Sequence, residues 1–90
     1  MNTPKNAGYE IFLLPPAQKD LDRMETDVYR QLLKKIRTLA DDPRPPGSIK
    51  LTAEEGYRIR SGDFRILYRI DDKSRRGYIY RIKNRKDAYS

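Results

Sequence analysis

Residues 57–70 read Tyr57-Arg58-Ile59-Arg60-Ser61-Gly62-Asp63-Phe64-Arg65-Ile66-Leu67-Tyr68-Arg69-Ile70, and this stretch decides the fold. Apolar and charged side chains alternate with a period of two, the repeat of a strand buried on one face. Tyr57 and Ile59 take the inward phase, followed by Phe64, Ile66, Tyr68 and Ile70. The phase therefore passes from odd to even across Gly62, as a tight hairpin or bulge there allows. Arg58, Arg60, Arg65, Leu67 and Arg69 fall on the outward side. Downstream, Asp71-Asp72-Lys73-Ser74 reads as a turn, and Gly77 to Lys83 as a third strand. Its one side carries Tyr78, Tyr80 and Ile82, and its other side Ile79, Arg81 and Lys83. Tyr57, Tyr68, Tyr78 and Tyr80 are thus expected in the core, each with its hydroxyl at the rim.

Upstream of this meander the period is helical. Tyr9 to Leu14 (YEIFLL) is a short apolar run rich in β-formers, closed by Pro15-Pro16; it suits a strand covered on both faces. Pro16 fits a helix start, and Ala17, Leu21 and Met24 recur at helical spacing, predicting a helix over 16–24. Thr26 is read as the N-cap of a second helix, with Asp27 at the positive end of the dipole and a stripe of Val28, Leu32, Ile36, Leu39 and Ala40. Asp41-Asp42-Pro43-Arg44-Pro45-Pro46-Gly47 ends it. The expected order is β-α-α-β-β-β: an α+β fold in which a two-helix hairpin packs on a mainly antiparallel four-stranded sheet. No repeat, low-complexity tract or long linker divides the chain, so residues 1–90 are expected to form a single domain.

The chain has 90 residues, no Cys, no His, and a formal charge of +7. The missing residue types exclude thiolate and imidazole metal sites, Cys nucleophiles and His bases, leaving any chemistry to Arg, Lys, Tyr, Asp or Glu. The apolar runs at Ile11-Phe12-Leu13-Leu14 and Ile66-Leu67-Tyr68 are far short of the ~20 residues of a membrane span. The stretch Met1 to Gly8 lacks a signal peptide's apolar segment. The expectation is a cytoplasmic protein without a membrane partner. Residues 1–56 carry nine Lys/Arg and nine Asp/Glu, whereas residues 57–90 carry eleven against four. A single Arg on an exposed strand face is an ordinary solvated side chain. Arg58 with Arg60, Arg65 with Arg69, and Arg81 with Lys83 and Arg85 each share a face, and if those faces coincide the like charges destabilise the sheet unless a polyanion neutralises them. Beyond the last strand, Tyr89 lies close to Arg85-Lys86, where it either stacks on a nucleobase or belongs to a frayed terminus.

The segments 57–68 and Ile82-Lys83-Asn84-Arg85-Lys86-Asp87-Ala88-Tyr89 resemble the RelE/ParE superfamily of bacterial toxin–antitoxin toxins, its RelE branch in particular. With the helix pair and the loop holding Lys50-Leu51, the resemblance covers nearly the whole chain. It implies an mRNA interferase that cuts messages in the ribosomal A site without metal or small-molecule cofactor, and that a cognate antitoxin neutralises. By the same resemblance Arg65 contacts the scissile phosphate, Arg85 is the arginine of the terminal motif, and Tyr89 stacks on or orients substrate. Lys86 joins them as a possible base or relay, a role open also to Lys83 and Tyr89. Lys50, Arg58, Arg60, Arg69, Arg81 and Lys83 complete the expected RNA contacts. Two departures stand out. Arg58 and Arg60 fall where some members carry catalytic lysines, and Asn84 where many carry His. Two alternatives are a ParE-like toxin that poisons DNA gyrase by binding, and a non-catalytic RNA- or ribosome-binding module that uses the same basic sheet.

Overall fold

The computed structural model describes residues 8–84. Seven elements follow one another: β1 (Glu10–Leu13), α1 (Pro15–Asp22), α2 (Thr26–Asp41), β2 (Ile49–Lys50), β3 (Tyr57–Ser61), β4 (Phe64–Asp71) and β5 (Arg76–Asn84). They build the expected α+β fold, with five strands rather than four, in the order β1-β5-β4-β3-β2. The additional strand, β2, is only two residues long, both of them exposed, so it leaves no periodicity to read. β1 runs parallel to β5 and every other pairing is antiparallel. Among the described residues no helix is long and apolar enough to cross a membrane.

Local chemistry sets the boundaries. Leu14 is the N-cap of α1 in an extended conformation, and the prolines occupy the first helical positions, where their missing N–H groups cost nothing. Thr26 is not the N-cap of α2; Glu25 takes that place, extended and without a side-chain cap bond, and Thr26 is the first helical residue. Gly62 and Asp63 form the two-residue turn between paired Ser61 and Phe64, and Gly62 leads with φ 61°, the glycine-first geometry of a tight hairpin.

The core lies between the helices and one face of the sheet. Ala17 and Leu21 from α1, Leu32, Ile36 and Leu39 from α2, and Ile59, Ile66, Tyr68, Ile79 and Ile82 from the sheet are buried together. Cross-strand register places Ile59, Ile66 and Ile82 in one row and Tyr57, Tyr68 and Ile79 in another. β5 departs from the expected alternation. Tyr68 pairs with Ile79 and Leu67 with Arg81, so Tyr80 is an extra residue in β5. This β-bulge resets the alternation: Gly77 and Ile79 point inward before it, Ile82 after it, while Tyr78 lies in the outward register. Tyr78 and Tyr80 are therefore not core residues.

A polar clasp fastens the proline-rich loop after α2 to the end of the sheet. Arg44 grips Asp72 through both terminal guanidinium nitrogens, at 2.8 and 3.3 Å, and donates from Nε to the Tyr57 hydroxyl at 2.9 Å. Tyr9 donates to Asp72 at 2.6 Å, and Tyr68 donates to the carbonyl of Pro43 at 2.8 Å. Burial pushes the Tyr68 phenol up to about 12. Hydrogen bonds from Arg44 and Tyr9 hold the Asp72 carboxyl below its usual range, and the bond to Asp72 raises the Tyr9 phenol.

A carboxylate with a depressed folded-state pKa contributes stability above its unfolded value and loses it as pH falls through the folded value; a phenol with a raised pKa does the reverse at the alkaline end. The clasp is therefore complete between about pH 5 and about pH 9. Asp72→Asn should lower Tm on that plateau and shrink the fall of Tm on acidification, read by circular dichroism melts across the acid limb. An acid limb as steep as that of the parent protein would show that Asp72 does not carry it.

Candidate functional site

The face of the sheet turned away from the helices is built from the residues that alternate with the core. Arg60, Arg65 and Lys83 stand opposite one another across β3, β4 and β5, neighbours in a ladder with strands ~4.8 Å apart. One step along, Arg58, Leu67 and Arg81 form the next row, with Ile49 of β2 opposite Arg58. A further step brings Arg69 beside Tyr78, and Tyr78 beside Phe12 of β1. The described members of the three basic groups read from the sequence, all but Arg85, thus share one surface.

Their environments differ. Arg81 is tied at the edge: its Nε donates to Asp20 of α1 at 2.9 Å, and the same carboxylate accepts the backbone N–H of Ile82 at 2.8 Å. Arg69 lies over the Tyr80 ring, 5.4 Å from its centroid, and the Tyr80 hydroxyl reaches Glu54 at 3.4 Å. Among the described residues no carboxylate pairs with Arg58, Arg60, Arg65 or Lys83. Arg65 goes further, because its Nε is buried and has no hydrogen-bond partner. A buried guanidinium N–H without an acceptor is costly, and the same arginine lines a cavity. The cavity, about 220 Å³, is lined by Gly47, Ile49, Arg58, Ile59, Arg60 and Arg65. Three guanidinium groups around a concave site, one with an unmet donor, have the chemistry to hold an oxyanion with several acceptor atoms.

Of the residues expected to act, Arg58, Arg60, Arg65, Arg69, Arg81 and Lys83 come together on this face. Lys50 does not: it pairs with Tyr57, which puts it in the helix-side register at the sheet edge. Arg85, Lys86 and Tyr89 lie outside the described residues. Ile49 and Gly47 were not expected, and β2 carries no pattern that could have revealed them. Phe12, Tyr78 and Tyr80 also join the open face. For Tyr78 a signal existed in Gly77, since a Cβ there would meet Ile11 Cδ1 at 2.7 Å, and a glycine in a strand marks the inward side of a close approach.

Comparison with known proteins agrees with the fold. The family model described as the ParE toxin of type II toxin–antitoxin systems, parDE, matches residues 11–89. No curated protein matches. The chain is similar to the RelBE2 toxin–antitoxin complex of Mycobacterium tuberculosis, with a TM-score of 0.78 and 26% identity over 87% of this chain and 99% of that one. It is similar also to the RelE–RelB complex of Pyrococcus horikoshii, at 0.75 and 25% over 87% and 96%. The isolated RelE toxin of E. coli shares the fold, at 0.73 and 22% over 84% and 83%. With a family match that begins in β1 and runs past β5, the chain belongs to the ParE toxin family of type II toxin–antitoxin systems, within the RelE/ParE superfamily.

Proposed function

We propose that this toxin is an mRNA interferase, cutting messages in the ribosomal A site without a metal ion, and that its open sheet face holds the scissile phosphate. The observation that carries the reading is the cavity lined by Arg58, Arg60 and Arg65, beside which the buried Nε of Arg65 has no acceptor of its own. A phosphodiester supplies acceptors in the geometry a guanidinium fork prefers. Two relatives of 26% and 25% identity are RelE-type proteins bound to RelB-type partners, which favours the RelE branch.

In this mechanism the ribose 2′-OH attacks the adjacent phosphorus in line. The bond to the leaving 5′ oxygen breaks, giving a 2′,3′-cyclic phosphate and, after protonation of that oxygen, a 5′-OH. Charge that builds on the non-bridging oxygens is met by Arg65 and by Arg85 of the terminal motif, and such fixed stabilisation is usually the largest catalytic contribution. Guanidinium groups stay protonated, so Arg58 and Arg60 supply field and grip rather than proton transfer. That task falls to Lys83, Lys86 or Tyr89. Positioning by the ribosome compensates for a weak base, since a near-attack geometry alone can be worth ~7–11 kcal/mol.

A second reading, poisoning of DNA gyrase by binding, is favoured by the family model itself, whose description is that of a ParE toxin. The two separate in a cleavage assay with mRNA alone and with mRNA-programmed ribosomes, mapping 5′ ends. The interferase reading expects cuts with ribosomes and a loss of about 10²–10³ in rate for Arg65→Ala, with most ribosome binding retained through the remaining cations. Growth arrest without cuts, accompanied by stabilised gyrase–DNA cleavage complexes, would replace it with the ParE reading. Equal small losses of binding and inhibition at every Arg would favour a plain binding module.

The same face implies the character of the antitoxin that this protein carries as its partner. Its neutralising segment should be acidic or amphipathic, because the row of Arg60, Arg65 and Lys83 attracts opposite charge. Size-exclusion chromatography with light scattering on the co-expressed pair should give a hetero-oligomer whose affinity falls with salt. Free monomers alone would contradict it.

A further inference from the structure

The open face does not end with its cations. Phe12 and Tyr78 stack on adjacent strands with ring centroids 5.6 Å apart and planes inclined by 18°. Arg76 lies 5.9 Å over Phe12, and Arg69 lies 5.4 Å over Tyr80. In register, Phe12, Tyr78 and Arg69 form one row, four residues along β4 from Arg65 and so ~13 Å from the row of Arg60, Arg65 and Lys83. Leu67 sits between the two rows. Beside Tyr78 runs an open cleft of about 580 Å³ whose walls include Arg69, Lys73, Glu55 and Asp71.

From this layout we infer that Phe12, Tyr78 and Tyr80 form a base-stacking platform for single-stranded RNA, a second subsite that receives a nucleobase about two nucleotides from the phosphate held by Arg65. The face is graded. Its cationic end suits phosphates, while at its aromatic end Glu55 and Asp71 offset Arg69 and Lys73, and Glu55 can accept base N–H groups. Aromatic rings beside arginines on a sheet take unpaired bases by stacking and cation–π contact, whatever the base. This charge complementarity selects RNA over an apolar protein segment as the occupant, because an apolar segment would leave the neighbouring cation row unmatched. The inference rests on the interferase reading for its phosphate site, and its substrate class is extended single-stranded RNA rather than a lone nucleotide.

The test uses the full chain and short single-stranded oligoribonucleotides carrying the fluorescent base aminopurine at successive positions, with a non-cleavable 2′-methoxy group at the scissile ribose. The expected result is quenching at one position about two nucleotides from the protected phosphate, and binding weakened about tenfold to a hundredfold in Tyr78→Leu. Tyr78→Phe should retain both. Tyr78→Leu keeps an apolar side chain on the sheet, and an unchanged melting curve separates lost stacking from lost folding; should it melt early, Tyr80→Leu serves in its place. Binding and quenching equal to those of the parent protein in both leucine variants would overturn the platform while leaving the phosphate site intact. Loss of antitoxin affinity with unchanged RNA affinity would also overturn it, reassigning the patch to protein docking. If the parent protein binds no RNA, with or without ribosomes, the interferase reading fails first and the platform with it.

Discussion

Ile59, Ile66 and Ile82 lie side by side on the helix-facing side of the three central strands, and the rest of the molecule follows from that row. Each is buried, and each buried isoleucine side chain is worth ~1.5–3 kcal/mol relative to exposure. Their immediate chain neighbours are Arg60, Arg65 and Lys83. Because successive residues on a strand point to opposite faces, a ladder that aligns the isoleucines must align the cations as well. Like charges directly opposite in a sheet cost only ~0.2–1 kcal/mol per pair. The core wins, and the protein keeps a cationic row that its surface chemistry alone would disperse. The site is thus held in place by the hydrophobic core, one residue out of phase with it.

The bulge at Tyr80 gives that face its second character. Without the extra residue, the alternation of β5 would bury Tyr78 and Tyr80 together with Ile82 and turn Ile79 outward. With it, Ile79 and Ile82 both reach the core while Tyr78 joins Phe12 on the open side. A bulge that leaves one residue unpaired next to a functional surface is a common way to re-aim side chains. Here it allows one strand to serve the core along its whole length and to present aromatic and cationic side chains outside.

Most of the fold was legible because the forces that build it are local. The alternation over 57–70, the helical stripes and the proline-rich stop each act within a few residues, and the α+β order follows from them. The same alternation put Arg58 with Arg60 on one face and Arg65 with Arg69 on one face, and the ladder makes the two faces one. What escaped were features decided across the chain. β2 is too short to have a period, the parallel partner of β5 lies more than sixty residues upstream, and Ile49 joins the cavity only through its pairing with Arg58. Tyr78 and Tyr80 were placed inward because a bulge without a glycine or proline at its extra residue leaves a period-two pattern apparently unbroken. Gly77 was the counter-signal: space between Ile11 and Ile70 is available only to a residue without Cβ.

The use of arginine at positions 58 and 60 divides the labour within the site on the reading proposed above. Lysine can serve as phosphate ligand or proton acceptor, whereas guanidinium holds its charge through any pH at which the protein folds and offers a planar fork. A cluster of Arg58, Arg60 and Arg65 is therefore preorganised for binding an anion, and rigidly so where Arg65 is partly sunk into the sheet. It cannot deliver or remove a proton. The electrostatic and acid–base parts of catalysis therefore fall to different residue types: the first to the arginines of the sheet and of the terminal motif, the second to Lys83, Lys86 or Tyr89. Such a division makes the sheet a strong anion receptor in its own right, and leaves its turnover dependent on what completes the site beside it.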